Sequence, residues 1–225
     1  MLFNVLDAVR SCFTPDLISR ISLFLGEKER GVNDALSGVI PVILSGFVAK
    51  VNEDSDNAKY MFNIVRRAYR EGIILQMENV NSNVFTEGLQ LAKILFAEKY
   101  NGIIDAIALY AFIRIESVVS LSGIVTTLTT GLLGKYVTDL NMNAANFSSY
   151  LHSQRSGIMS RLPAGLSTIA PLLGLSKMEY NVRQERHRNR WFQIIAIDQQ
   201  RRELHLLLLL LLLIAAAIAL LIQLI

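Results

Sequence analysis

The side chains that most often perform catalysis or bind metals are few and scattered in this sequence of 225 residues. The three histidines are His152, His187 and His205, and no group of His, Cys, Asp and Glu residues has metal-ligand spacing. No serine stands in the pattern of a nucleophile elbow, and no glycines form a phosphate-binding loop. We therefore predict a protein that is not an enzyme and has no metal or cofactor.

The arginines suggest one further chemistry, which is binding of nucleic acid. Arg66, Arg67 and Arg70 form a basic cluster near the end of a predicted helix. Residues 1–176, however, carry 15 basic and 15 acidic side chains, so they lack the excess positive charge with which proteins neutralise phosphates. A solvated helix end, where the dipole favours cations, explains the cluster better. We predict no nucleic-acid partner.

A single cysteine, Cys12, rules out a disulfide within one chain and agrees with a reducing compartment. The thiol has two interpretations, a reactive group or a small buried hydrophobic residue, and we favour the second. Because the first residues show neither a basic segment nor a small-residue cleavage site, we also expect no signal peptide.

The most apolar stretch of the sequence is at its C-terminal end. Residues 206–225 are 20 in number, contain no charge and have Gln223 as their one polar residue. About 20 apolar residues in a helix cross the hydrocarbon of a bilayer, so residues 204–225 are predicted to be a single transmembrane helix. The lipid bilayer is accordingly a predicted partner.

The residues ahead of this run, 177–203, carry seven basic and four acidic side chains. Basic residues close to a span tend to stay in the cytoplasm, so we predict a bacterial inner-membrane protein, single-pass, with a cytoplasmic N-terminal domain. The same side chains could instead contact anionic lipid, and the sequence does not choose between the two roles. The residues concerned are Arg183, Arg186, Arg188, Arg190, Trp191, Arg201 and Arg202.

Apolar residues recur at helical spacing along most of the chain, which predicts an all-α fold. The first helix is expected to end near Cys12. Thr14-Pro15 should begin the next helix, which presents Leu17, Ile18, Ile21, Phe24 and Leu25, and Gly26 should end it. Further along the chain, Pro41 should kink or split a helix. Ser55 or Asp56 should cap the start of the next helix, Gly72 should end that helix, and Asn143 should cap the start of a later one.

Two segments with similar sequences suggest an internal repeat. Residues 36–50 align without gaps with residues 121–135, at an offset of 85 residues. We therefore predict two related helical modules, residues 1–78 and 85–176, joined by a linker at 79–84. The uncharged segment 117–134 is long enough to span a membrane, but its many Ser and Thr residues favour a helix in the protein core.

Small residues are the shared feature of the two repeated segments. Glycine inside a helix costs about 1 kcal/mol relative to alanine, so its recurrence indicates the close approach of another backbone. That backbone belongs either to a neighbouring helix of the same chain or to a second copy. The candidate residues for helix packing or self-association are Gly38, Gly46, Ala49, Gly123, Gly131 and Gly134.

Several stretches of the sequence resemble one bacterial family. They are Leu6-Asp-Ala-Val9, Phe13-Thr-Pro-Asp-Leu-Ile18, Phe24-Leu-Gly-Glu27, the run from Leu36 to Gly46, Leu151-His-Ser-Gln154 and Leu162-Pro-Ala-Gly-Leu166. Together they make residues 2–175 similar to the YidB-like family 937 of domains of unknown function. The resemblance is greatest to members of the Bacteroidetes type, and it implies two helical modules before one membrane helix. Such members often carry an OmpA-like domain, which these residues do not contain.

Taken together, the sequence predicts a membrane-anchored helical scaffold of the cell envelope that forms a homo-oligomer. An envelope protein is a further candidate partner. The alternative hypothesis is a membrane-active protein that inserts apolar hairpins such as residues 118–137 and permeabilises bilayers. An enzyme is a third hypothesis, for which no residue is a candidate.

Overall fold

The computed structural model describes residues 4–72 and 82–173, and side chains in the second range from residue 85. Eight α-helices and no strand lie in these residues, so the described part of the chain is all-helical. The predicted linker residues 79–81, the basic tether 177–203 and the predicted transmembrane helix 204–225 lie outside them.

The helices follow one another along the chain. The first four are α1 (Val5–Cys12), α2 (Pro15–Leu25), α3 (Glu29–Val51) and α4 (Ser55–Arg70). The next four are α5 (Ser82–Phe96), α6 (Tyr100–Ala111), α7 (Ile115–Asp139) and α8 (Ala144–Met159). A 3₁₀ turn, Ala97–Lys99, separates α5 from α6, and a 3₁₀ segment, Ala164–Leu173, follows α8.

The two longest helices, α3 and α7, form the centre of the bundle. Both are apolar around most of their circumference, which is typical of a helix covered on all sides. α7 packs on α4 and α5, and α3 packs on α6, α8 and α7. Both are long and apolar enough to cross a membrane by length and composition alone, but most of their residues are buried inside this domain. Core helices of soluble proteins pass the same test.

Local sequence signals explain where most helices begin and end. The Thr14 hydroxyl accepts a hydrogen bond from the Leu17 backbone N–H at 3.3 Å, and Pro15 occupies the first position of α2. Gly26 ends α2 with a left-handed φ of 64°, which glycine adopts without strain. Gly72 has a φ of 68° just after α4, and Asn143 caps α8. These four expectations are confirmed.

Three local predictions differ from the structure. α3 continues unbroken through Pro41, because the helix is held by packing on several sides, so the predicted split is wrong. The cap of α4 is Asp54, not Ser55 or Asp56, and its carboxylate accepts from two backbone N–H groups. Residues 82–84, predicted as linker, already belong to α5.

The helices of the two predicted modules share a single core. Residues Met1–Ser176 form one compact unit, while Lys177–Ile225 is a separate unit that lies outside the described residues. Within the first unit, α4 packs on α7 and α3 packs on α8, so helices from each half lie against helices of the other. Phe47 of α3 and Phe147 of α8 are both fully buried in this common core.

Candidate functional site

The small residues of α3 lie against other parts of the same chain. A Cβ atom added to Gly38 would stand 2.5 Å from Leu166 Cδ1 in the 3₁₀ segment. One added to Gly46 would stand 2.7 Å from Phe96 Cζ. Ala49 is half-buried and packs against the core. Gly38 and Gly46 are covered by the domain itself and offer no free face to a second copy, whereas Ala49 is partly exposed.

The glycines of α7 differ from those of α3 because their nearest neighbours include backbone atoms of other helices. A Cβ at Gly123 would stand 2.8 Å from the carbonyl oxygen of Phe85 in α5. One at Gly134 would stand 2.8 Å from Tyr69 Cβ, with the Val65 carbonyl oxygen nearer again. Gly131 is buried in the same helix. Glycine thus lets α7 approach α5 on one side and α4 on another.

A groove of about 350 Å³ lies between α4 and α5, above α7. Its walls include Ile64, Leu91 and Ile94, and its floor includes Thr127 and Thr130. The Thr127 hydroxyl donates to the Gly123 carbonyl oxygen at 2.9 Å, and the Thr130 hydroxyl donates to the Thr126 carbonyl oxygen at 2.6 Å. Arg67, Glu71, Glu87 and Gln90 also line the groove, so its lining combines apolar and charged side chains.

A second surface, which we name the apolar corner, lies at the connections α2–α3 and α6–α7. It consists of exposed apolar side chains on the last turns of α2 and α6 and the first turn of α7. Phe112 is 91% exposed, Leu23 80% and Leu109 76%. The residues of the apolar corner are Leu23, Phe24, Leu109, Phe112 and Ile115.

An ion pair joins the two connections of the apolar corner. Arg114 Nε lies 3.0 Å from Glu27 Oε1, which also accepts from the Arg114 backbone N–H and, at 2.7 Å, from the Ser117 hydroxyl. The guanidinium also donates to the Leu25 carbonyl oxygen. Partial desolvation opposes ionisation of Glu27, but the bonds from Ser117 and Arg114 outweigh it and hold the pKa of this carboxyl below its usual range.

The backbone at Phe112 adds to the unusual character of this surface. Phe112 ends α6 with a φ of 54°, the left-handed conformation that Gly26 adopts at the end of α2. A residue with a Cβ is disfavoured there, and a bulky one more so. The strained conformation is therefore occupied by an aromatic side chain that points into solvent, where it adds nothing to the core.

The groups considered for chemistry do not form a reactive site. No cluster of three His, Cys, Asp or Glu residues suited to a metal occurs among residues 4–72 and 82–173. Cys12 is half-buried, and this burial raises the pKa of its thiol, which disfavours the nucleophilic thiolate. Burial, with a further contribution from Tyr136, also raises the pKa of the Tyr150 phenol.

The predicted membrane-interface residues, unlike the glycines, are not among the described residues. Arg183, Arg186, Arg188, Arg190, Trp191, Arg201 and Arg202 all lie outside the described part of the chain. Their role in topology or lipid contact therefore stays a prediction.

Comparison with known protein families identifies the family of this chain. Residues 7–136 match the model of a family described as "Bacterial protein of unknown function (DUF937)". The chain belongs to this family. No curated protein and no solved structure matches it.

The DUF937 match extends from α1 almost to the end of α7. It includes α3 and all but the last three residues of α7, whereas α8 and the 3₁₀ segment lie beyond it. Those later elements supply Phe147 and Leu151, which are fully buried, and Leu166, which covers Gly38. The core of this DUF937 protein is therefore completed by residues that follow the matched region.

Sequence reasoning did not find the apolar corner. It grouped Phe24 with Leu25 among the apolar residues that α2 presents, without separating them, but Phe24 is 62% exposed and Leu25 is buried. Spacing of three or four residues from Ile21 allows either one to face the core. A usable signal was Phe112-Ile113, two large apolar residues at a helix end where a glycine or polar residue is more usual.

Proposed function

We propose that this DUF937 protein is a non-enzymatic, membrane-anchored interaction module of the bacterial inner membrane, attached by residues 204–225 with its helical domain in the cytoplasm. The observation that carries the interaction role is the apolar corner. Its five apolar side chains are between 48% and 91% exposed, and the two connections that carry them are joined by the ion pair between Glu27 and Arg114. Exposed apolar side chains that are grouped in one region commonly mark binding sites.

The anchoring role is supported by the sequence beyond the described residues. Twenty uncharged residues follow a segment with three more basic than acidic side chains, the charge pattern of a span whose N-terminal side stays in the cytoplasm. The domain itself buries most of its two long apolar helices, α3 and α7, inside its own core. Attachment through the C-terminal run therefore leaves the folded domain intact.

Membrane attachment is tested by comparing the full chain with a variant that lacks residues 206–225. We expect the full chain to stay in a carbonate-washed membrane pellet and the deletion variant to move to the supernatant. A tag at the N-terminus of the full chain should resist protease in intact spheroplasts and become accessible after lysis. Full-length protein in the carbonate supernatant would refute the anchor, and a tag cleaved in intact spheroplasts would refute the orientation.

Self-association is part of the same proposal, but through surfaces other than the repeated glycines. Those glycines are covered by Leu166, Phe96, Phe85 and Val65 of the same chain. Light scattering after size exclusion on the domain, residues 1–176, measures its mass directly. A mass that rises with concentration supports association, and a monomer at every concentration argues that copies do not associate through the domain.

The internal repeat also belongs among the proposals. Helices α2, α3 and α4 have 11, 23 and 16 residues, and α6, α7 and α8 have 12, 25 and 16. These similar lengths and the 85-residue offset support descent from one duplicated unit. An experimental structure in which α2–α4 superpose on α6–α8 no better than on unrelated helix triplets would contradict it.

The permeabilising alternative requires α7 to leave the core. Val118, Leu121, Val125 and Leu133 are fully buried there, so insertion would expose the centre of the domain. Release of a trapped dye from vesicles distinguishes the two roles. A passive module releases none, whereas a membrane-active protein releases dye in proportion to its concentration.

A further inference from the structure

We infer that the apolar corner is a bilayer-contact surface, with which the domain lies against the same membrane that anchors its chain. This inference rests on the proposed anchoring and names the lipid surface as the occupant of the apolar corner. Its support comes from the chemistry of the exposed side chains, their position at two adjoining connections and the length of chain between the domain and the apolar run.

The exposed side chains are of the kind that enters a bilayer interface. Phe and Leu residues make up the apolar faces of protein segments that lie in the plane of the membrane. Here Leu23, Phe24, Leu109 and Phe112 stand at the ends of two helices. A side chain at the end of a helix extends beyond the body of the domain, so it can reach lipid without any helix leaving the core.

The two connections are held together, which makes them one surface. Glu27 in the α2–α3 connection bonds Arg114 and Ser117 at the start of α7. A Cβ added to Gly31 of α3 would stand 2.5 Å from Ile113 Cγ2, so the packing beside the ion pair is also close. The two connections that carry the apolar side chains are thus held together before any lipid is present, which limits the backbone entropy lost on contact.

The charges near the apolar corner nearly cancel. Arg20 lies 3.4 Å from Asp16, Arg30 lies 3.9 Å from Asp34, and Arg114 pairs with Glu27. The exposed Lys28, Glu29 and Glu116 add one basic and two acidic side chains, so the region has no excess of positive charge. Contact with lipid therefore depends on apolar burial rather than on attraction to anionic headgroups. We expect it to be similar on phosphatidylcholine and phosphatidylglycerol vesicles and to change little with salt.

The chain that follows the described domain keeps it near lipid. Residues 174–203 separate the domain from the predicted span, and 30 residues reach about 100 Å at full extension. A tether this short turns contact with the bilayer into an intramolecular event at high effective concentration. A weak apolar surface that would not hold a free domain on a membrane can therefore stay engaged in the anchored chain.

The test places a single tryptophan at the apolar corner of the full chain. The sequence has one tryptophan, Trp191, so Trp191→Phe gives a background without that fluorophore. Phe112→Trp reports on the corner. Leu140→Trp is the matched control, because Leu140 is also an exposed apolar residue at a helix end, 54% exposed, but at the opposite end of α7. The 25 residues of α7 place these ends about 37 Å apart.

Both variants are reconstituted in phosphatidylcholine vesicles with and without brominated acyl chains. We expect the bromines to quench the Phe112→Trp variant, with a blue shift of its emission, and to leave the Leu140→Trp variant unchanged. Circular dichroism confirms that both variants are folded, and Leu23→Trp provides a second reporter at the apolar corner. Quenching of both corner reporters with an unchanged control supports the inference.

Other outcomes overturn it, and they do so separately from the anchoring proposal. If the chain floats with the vesicles but neither corner reporter is quenched, anchoring stands and lipid contact is wrong. If emission at the apolar corner shifts with protein concentration and not with bromination, a second copy is the occupant. Equal quenching of the Phe112→Trp and Leu140→Trp variants means that the domain has no preferred membrane-facing side. If the chain does not float, the anchor itself is wrong, and with it the inference.

Discussion

Alanine at Gly134 gives a direct test of the close approach between α4 and α7. The added Cβ would stand 2.8 Å from Tyr69 Cβ and 2.9 Å from the Val65 carbonyl carbon, with the Val65 oxygen nearer still. Two of these three atoms are backbone, so no rotation of a side chain relieves the clash. Either α4 and α7 must separate, or the domain must lose the packing between them.

The expected magnitude comes from two opposing effects. Alanine is favoured over glycine inside a helix by about 1 kcal/mol. Overpacking of a close interface costs about 1–3 kcal/mol and sometimes more, and a backbone clash belongs at the upper end. The net loss for Gly134→Ala is therefore about 2 kcal/mol, which lowers the Tm of a domain of this size by roughly 4–8 °C.

Two matched controls separate the clash from the change in helix propensity. Gly102 in α6 and Gly157 in α8 have no atom within 4 Å of an added Cβ. Gly102→Ala and Gly157→Ala should therefore raise the stability by up to about 1 kcal/mol. Thermal and urea unfolding of residues 1–176, followed by circular dichroism, measures all three variants. If Gly134→Ala raises the Tm as much as the controls do, α4 and α7 do not approach as the structure shows.

Glu27, Phe112 and Cys12 each provide a further prediction. Because the folded pKa of Glu27 is lowered, its stabilisation is present above the ordinary pKa near 4.3 and is lost as the pH falls through the folded value. Glu27→Gln should lower the free energy of unfolding by only about 1 kcal/mol at pH 7, because Arg114, its partner, is largely exposed to solvent. The difference in Tm between the original chain and this variant should narrow below pH 4, and a constant difference contradicts the prediction. Phe112→Gly should raise the Tm, because the left-handed conformation costs a residue with a Cβ about 1–2 kcal/mol. Only part of this is gained, since glycine loses more conformational entropy on folding. A lower Tm would show that Phe112 is not strained. In the folded chain, the rate at which Cys12, the one cysteine, reacts with iodoacetamide should reach half its maximum at a pH above about 8.5, because burial raises the pKa of the thiol. A midpoint at or below this pH would show that burial does not suppress the thiolate.

The helical nature of the domain and several of its boundaries could be predicted from the sequence because they depend on neighbouring residues. Thr14-Pro15, Gly26 and Asn143 act within one turn of helix, so a local signal is sufficient. Pro41 shows where local reasoning fails. Its effect on α3 is decided by contacts with distant helices, which hold the helix together through the missing hydrogen bond.

The full extent of the apolar corner could not be predicted for a related reason. Whether an apolar residue is exposed depends on which neighbour a helix finally packs against, and Phe24 and Leu25 differ by one position. The recurrence of glycine indicates a close approach, but what approaches is a matter of tertiary structure. At Gly123 and Gly134 it is the backbone of α5 and of α4, whereas at Gly38 and Gly46 the nearest atoms belong to side chains of the same chain.

The burial of α3 and α7 has a consequence for synthesis on the ribosome. α3 is complete at Val51, but its partners on α7 and α8 extend to Asp139 and Met159. At about 5–20 residues per second, roughly 5–20 s pass before those partners are made. During that interval the 23 residues of α3 have been synthesised, but the helices that bury them in the folded domain have not. The nascent chain thus presents a long apolar helix, which later becomes the centre of the domain, before the C-terminal leucine run has been synthesised.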